Sequence, residues 1–163
     1  MEELTIEKML LSMKPFWKEK IMSSEKIYEY RTRFTDEEVI AYLYVSAPIY
    51  GIAGVLHLGK KIYLDDWLEK YKENTEVVDR IKEYKSRKNV VTMPVLSYQE
   101  KNLITRAELE KALGKFVWPQ SYYFLKDNME LTKYIEEHLC FVGEKHENCF
   151  DVESVDDICR NYR

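Results

Sequence analysis

Lys26, Glu29 and Arg31 stand close together in the segment "KIYEYR" and form the group of side chains best suited to chemistry. The aromatic residues between them predict a β-strand. Because side chains alternate along a strand, Glu29 and Arg31 share a face and lie about 7 Å apart, within reach of each other. Nearby cations favour the ionised form of a carboxylate. The segment therefore predicts a negatively charged acceptor beside two positively charged donors.

A carboxylate flanked by cations suits a nucleotide. An ionised carboxylate accepts N–H donors, which the Watson–Crick edges of guanine and cytosine offer. Lysine and arginine hold phosphate or ribose oxygens. Lys14 precedes Pro15 at a predicted helix start, where the helix N-terminus also favours an anion. In a nucleotide site, Glu29 would bind a base and the cations would bind its phosphate or sugar. From these residues alone, the preferred interpretation is a solvent-facing strand whose charges only pair with neighbouring strands.

Further polar and aromatic residues flank other predicted strands. Ser46 follows a strand, and its hydroxyl either lines a cleft or belongs to a plain turn. Gln120 precedes another strand and can contact a base edge. Trp118 can stack on a base, although core packing is the preferred prediction for this indole. His57 lies mid-strand among apolar residues and is predicted to be structural.

The charge of the chain is unevenly distributed. The 163 residues carry a net charge of −4, which argues against indiscriminate binding along a nucleic-acid backbone. Residues 14–33 contain six basic and three acidic side chains, whereas residues 127–163 contain four basic and ten acidic ones. A local basic site on an acidic protein suits a short or single-nucleotide target. The acidic end is a candidate surface for a protein partner.

Several classes of protein are disfavoured by the composition. The three cysteines lack CxxC spacing and do not suggest a disulfide framework, so we infer a reducing, cytoplasmic location. The opening residues lack a signal-peptide pattern, and no apolar run approaches the roughly 18 residues of a membrane helix. No Gly-rich phosphate loop is present, and no Ser/His/Asp triad has a supporting spacing. No cofactor is predicted. Several His and Cys residues near the chain end match no zinc module, so no metal is predicted. These are His138, Cys140, His146, Cys149 and Cys159.

Short strands dominate the first half of the chain, and helices separate the later ones. The predicted strands cover residues 9–13, 26–34, 39–45, 51–62, 90–98 and 120–125. One predicted helix begins at Pro15. Two more lie within residues 65–88, and the last two cover residues 105–114 and 128–139. Trp17 and Trp67 fall on amphipathic stripes and are predicted core residues. This order predicts an α+β fold, a small mixed barrel with helices packed outside it.

The segment "MKPFWKEKIMSSEKIYEYRTR" (13–33) resembles the opening of ASCH-domain proteins, which belong to the PUA-like superfamily. The family signature G-x-K-x-x-E-x-R matches here at Lys26, Glu29 and Arg31. Ser24 replaces the usual Gly, which serves a tight turn into the strand, and we expect the loss to be mild. The segments "YVSAP", "GIAGVLHL" and "PQSYYFL" extend the resemblance over about residues 8–126.

The resemblance implies one PUA-like domain over residues 1–163, with a barrel of five or six strands and a cleft beside the motif. A helical insertion would cover about 65–88 and an acidic extension about 141–163. It also implies a module that binds RNA or a modified nucleotide through Lys14, Lys26, Glu29, Arg31, Ser46 and Gln120.

Two alternatives stay open. Some relatives are hydrolases, either a nucleoside amidohydrolase or a ribonuclease, in which case Lys26 and Glu29 would be catalytic. Against the amidohydrolase, Glu29 stands where those enzymes have a nucleophilic Thr, and an ionised carboxylate is a poor general acid at neutral pH. We therefore assign no catalytic residue and favour binding over catalysis. The second alternative is a protein-interaction module that uses the acidic end.

Overall fold

The computed structural model describes residues 5–162, which form one curled mixed sheet with helices packed against it. The strands are β1 (Glu7–Met13), β2 (Tyr28–Arg31), β3 (Val39–Val45), β4 (Gly51–Leu58), β5 (Ile62–Tyr63), β6 (Val91–Thr105), β7 (Tyr122–Phe124) and β8 (Phe141–Glu147). The helices are α1 (Pro15–Met22), α2 (Leu64–Lys70), α3 (Thr75–Ser86), α4 (Arg106–Leu113) and α5 (Met129–His138). This is the predicted α+β class.

The main path of the sheet runs in the order β2-β6-β4-β3-β1-β7 and curls into a half-barrel. Strands β1 and β3 are parallel, and the other pairs are antiparallel. Strand β6 is 15 residues long and lies between β2 and β4 in the sheet. Its start pairs with β2 and β5, its remainder pairs with β4, and β8 adds to its other edge. Within residues 5–162, the motif strand β2 forms its strand pairing with β6.

Side-chain alternation along the strands divides the core between the two faces of the sheet. On β1, Met9 and Leu11 belong to the cluster inside the curl, whereas Leu10 belongs to a second cluster on the opposite face. Helices α4 and α5 cover that second face through Leu109 and Ile135, both fully buried. Burial of one such side chain contributes roughly 1.5–3 kcal/mol to the stability of the fold. Helices α4 and α5 therefore remain packed on this face of the sheet.

The motif strand is shorter than the predicted span of residues 26–34, because only Tyr28–Arg31 pairs with β6. Its alternation is as predicted. Tyr28 and Tyr30 are 3% and 7% exposed and pack against Trp67 and Tyr84 of α2 and α3. The opposite face of β2 therefore carries Glu29 and Arg31. Helices α2 and α3, the helical pair, pack against the tyrosine face and support the motif strand from that side.

The starts of α4 and α5 follow the capping signals of the sequence. The side chain of Thr105 accepts a hydrogen bond from the Glu108 backbone N–H, and Gly114 ends α4 with a φ of 79°. Asn128 caps α5 in the same way through the Leu131 N–H. No helix within residues 5–162 combines the length and apolar character needed to cross a bilayer.

The acidic end of the chain contains structure that its sequence pattern does not reveal. Strand β8 pairs with residues 97–101 of β6. Farther on, Ile158 and Cys159 are buried against the face of β2 that carries the tyrosines, and the Cys159 N–H donates to the Tyr30 hydroxyl at 2.8 Å. Burial raises the pKa of the Cys159 thiol to about 12. The segment 158–162 therefore packs behind the motif strand.

Candidate functional site

A cleft of about 450 Å³ opens beside the motif strand. The parallel pairing of β1 and β3 places their carboxyl ends together, with Met13 opposite Val45, so the residues that follow each strand become neighbours. The Ser46 N–H donates to the Met13 carbonyl at 3.0 Å. The lining includes five of the six predicted ligand-binding residues. These are Lys14, Glu29, Arg31, Ser46 and Gln120.

Glu29 provides the carboxylate of the cleft wall and is only 6% exposed. Its Oε1 lies 3.3 Å from Arg31 Nε, a charge contact rather than a well-aligned hydrogen bond. Its Oε2 is buried and has no hydrogen-bond partner within residues 5–162. A buried carboxylate oxygen without a partner costs about 1–3 kcal/mol or more. Because Glu29 lines the cleft, this oxygen has an unused capacity to accept a hydrogen bond beside it.

Arg31 is held in place by hydrogen bonds at the edge of the cleft. Its Nη2 donates to the Ser12 carbonyl at 2.8 Å, and its Nη1 donates to the Ser121 hydroxyl at 3.4 Å. Only 17% of the side chain is exposed. Because the fork is anchored on β1, the guanidinium keeps one orientation beside Glu29, and its long Nη1 contact leaves capacity for a ligand oxygen.

Lys26 does not line the cleft but lies behind its wall. The side chain is 4% exposed, and its Nζ lies 4.6 Å from the Trp17 ring centroid, 4.9 Å from that of Tyr30 and 5.7 Å from that of Tyr162. Burial lowers the pKa of Lys26, and the nearby Glu29 carboxylate acts in the opposite direction. Aromatic rings therefore enclose the lysine that we expected to contact the ligand. Its interaction with Glu29 is an electrostatic attraction.

Arg106 and Tyr50 also line the cleft and were not recognised as site residues from the sequence, whereas Trp118 was considered for base stacking as an alternative to core packing. The Arg106 guanidinium carbon lies 4.5 Å from the Tyr50 ring centroid and 4.8 Å from that of Trp118. Arg106 is the first residue of α4, directly after the Thr105 cap. A cation at this position is the feature of the sequence that could have indicated a site residue. A cation at that point is unfavourable for the helix dipole, and Arg106 Nε lies 3.9 Å from Glu110 Oε1 one turn along α4.

Trp118 corrects one core prediction, and Trp17 meets its core prediction in part. Trp118 is 41% exposed at the cleft, stacked at 6.4 Å on Tyr44, because the irregular segment before β7 runs along the surface. Trp17 packs against the core cluster inside the curl, but it is only partly buried and also lines the cleft. Trp67, at 2% exposure, is a core residue as predicted.

The remaining predicted residues occupy more varied positions. Lys14 is exposed and forms no salt bridge with any residue in the described part of the chain. Gln120 is exposed before β7. His57 lies on the sheet away from the cleft, 2.9 Å from Glu38 Oε2. The His and Cys residues near the chain end assemble no group of three metal-ligating side chains among residues 5–162.

The residues that line the cleft carry a net positive charge, although the protein is acidic. Three cations, Lys14, Arg31 and Arg106, line it with one carboxylate, Glu29, on a chain whose net charge is −4. Low-dielectric walls focus the field of such a group and favour an anionic ligand.

The architecture is similar to that of solved ASCH structures. ASCH from Zymomonas mobilis superposes with a TM-score of 0.62 at 18% identity, over 82% of this chain and 96% of that one. A Ser-to-Ala mutant of the same protein gives 0.60 at 18% identity, over 80% and 96%. A Tyr-to-Phe mutant gives 0.60 at 17%, over 82% and 99%. The chain has an ASCH-like fold. No protein-family model matches the sequence, and no curated protein does either.

The backbone of the turn before β2 bears on the one mismatch in the signature. Ser24, at the position where the signature has Gly, adopts a φ of 62°. This left-handed conformation costs a non-glycine residue roughly 1–2 kcal/mol. We expected the loss of Gly to be mild because Ser tolerates many turns, but this turn requires the conformation that Gly adopts without strain.

Ser24→Gly is therefore expected to raise the free energy of unfolding by about 0.5–1 kcal/mol, since relief of strain exceeds the added entropy of the unfolded chain. Denaturant unfolding measures the change. Ser23→Gly is the matched control: Ser23 has a φ of −80°, and its hydroxyl bonds the Lys20 carbonyl at 3.1 Å. That variant should be neutral or less stable, and equal stabilisation by both changes would contradict the strain argument.

Proposed function

We propose that the cleft binds a nucleotide unit, free or within RNA, and that the protein is a binding module. The observation that carries the proposal is the unpartnered Oε2 of the buried Glu29, set among cations and an exposed indole. The cleft volume of 450 Å³ lies in the range of small-molecule sites. The chemistry needed for each part of a nucleotide is present on its walls.

The base is assigned to Glu29. Guanine presents adjacent N–H donors and cytosine an amino group, whereas the single N–H of uracil lies between two carbonyl oxygens that a carboxylate repels. Because Oε1 faces Arg31, Oε2 is the oxygen that accepts from the base. Gln120, exposed at the same cleft, offers both a donor and an acceptor for a second contact.

The stacking surface and the phosphate contacts are assigned to the other wall. Trp118 presents an exposed ring, and base–aromatic stacking contributes about 1–3 kcal/mol. Arg106, kept against Tyr50 and Trp118, has a guanidinium fork suited to phosphate oxygens. Lys14 at the start of α1 adds a flexible charge beside a helix N-terminus. Lys26 is a positioning residue whose positive charge lies behind the Glu29 carboxylate.

Calorimetric titration with GMP, CMP, UMP and AMP tests the proposal. We expect GMP and CMP to bind about tenfold or more tightly than UMP, since one specific base contact distinguishes bases by roughly 1–3 kcal/mol. Glu29→Gln should remove this preference because the amide presents a donor as well as an acceptor. Circular dichroism establishes that each variant is folded.

Glu38→Gln is the matched control, because Glu38 is a partly exposed carboxylate bonded to His57 outside the cleft. It should leave every affinity unchanged. The absence of binding by all four nucleotides, or an unchanged base preference in folded Glu29→Gln, would overturn the proposal. Conversion of a nucleotide in the same samples would point to the hydrolase alternative.

A further inference from the structure

The cleft continues past Arg31 into a second depression of about 580 Å³. The two depressions share Tyr30, Arg31 and Gln120, so they form one groove with Arg31 at the junction. The second depression lies between the end of β2, the loop after α3 and the start of β7. The residues that line only this part are Thr32, Arg33, Asn89, Ser121 and Tyr122.

The second depression is positively charged and free of carboxylates among its lining residues. Arg33 is exposed and forms no salt bridge with any residue in the described range 5–162. By contrast, the large depression between α1, α3 and the chain end contains four carboxylates beside its arginines. Along the whole groove, four cations face the single carboxylate of Glu29. These cations are Lys14, Arg31, Arg33 and Arg106.

The polar side chains of the second depression are oriented by the backbone around them. Thr32 Oγ1 donates to the Lys88 carbonyl at 2.7 Å, and Asn89 Nδ2 donates to the Tyr84 carbonyl at 3.1 Å. Ser121 Oγ accepts the long contact from Arg31 Nη1. These bonds position the depression without using Arg33, whose charge is left for a ligand.

We propose that the second depression is a subsite for the next phosphate and nucleotide of a strand, so that the ligand is a single-stranded polynucleotide rather than a free nucleotide. This inference rests on the proposed function. A base that reaches Glu29 must be unpaired and unstacked from its neighbours, which excludes a continuous duplex. Arg31, at the junction, faces the linking phosphate. Arg33 faces the adjacent backbone, which a free nucleotide lacks.

The test compares GMP with two RNA trinucleotides, one with guanosine at the 5′ end and one with guanosine at the 3′ end. We expect one of the trinucleotides to bind at least about tenfold more tightly than GMP, as an added charge-assisted contact predicts. Arg33→Ala should remove that gain and leave GMP affinity within about twofold. The salt dependence of trinucleotide binding should also fall by about 0.7 in slope.

Lys133→Ala is the control, because Lys133 is an exposed cation on α5 that lines neither depression. It should change neither affinity. Equal binding of GMP and both trinucleotides, or an equal loss for GMP and trinucleotide in Arg33→Ala, would overturn the subsite while the proposed function stands. Failure of all three probes to bind would overturn both proposals.

Discussion

Replacing Glu29 with Ala is expected to lower the free energy of unfolding by about 2–3 kcal/mol. The change removes an unpartnered buried oxygen, which is favourable by itself. It also leaves Arg31 and the enclosed Lys26 without their neighbouring anion, and an uncompensated buried charge costs more than the oxygen does. Denaturant unfolding of the wild type and the variant measures the difference.

Lys26→Met provides the control for this argument, because Met fills the aromatic enclosure without a charge. Alone it should cost less than Glu29→Ala, since it loses the ring contacts but also relieves the burial of an ammonium. In the Glu29→Ala background it should recover about 1–2 kcal/mol. Strict additivity of the two changes would show that the Lys26 and Glu29 charges are not coupled.

Trp118→Ala is expected to weaken GMP binding by about tenfold to a hundredfold, in line with the contribution of aromatic stacking. The effect on thermal stability should be small, because 41% of the indole is exposed and no cavity forms in the core. Titration calorimetry measures the affinity, and thermal unfolding monitors the fold.

Two further variants separate stacking from a general loss of aromatic surface. Tyr63→Ala removes a side chain that is 46% exposed and outside the cleft, and it should leave GMP affinity unchanged. Trp118→Phe should retain part of the affinity because a smaller ring still stacks. A Trp118→Ala variant with wild-type affinity would assign this indole a structural role only.

Much of the fold could be predicted because local signals and global packing agree. The capping residues Thr105 and Asn128 each begin a helix, and the apolar segment "VIAYLYV" forms the predicted strand. Strand β8 could not be predicted, because its sequence "FVGEKHE" lacks clear alternation and pairs only with part of β6. Its position depends on a partner strand far away in sequence rather than on its own residues.

The site was predictable where one strand carries it and less so where distant elements meet. The alternation of β2 correctly placed Glu29 and Arg31 on one face, opposite Tyr28 and Tyr30. Arg106 and the surface position of Trp118 depend on how α4 and the segment before β7 meet the ends of β1 and β3. The enclosure of Lys26 depends on Tyr162, at the far end of the chain.

The placement of the three indoles has a spectroscopic consequence. Trp17 and Trp118 line the cleft, whereas Trp67 is buried against Tyr28 beneath the helical pair. Occupation of the cleft should therefore quench or blue-shift the emission of two fluorophores over a constant background from the third. The protein carries an intrinsic optical reporter of its own site, and ligands can be screened without any label.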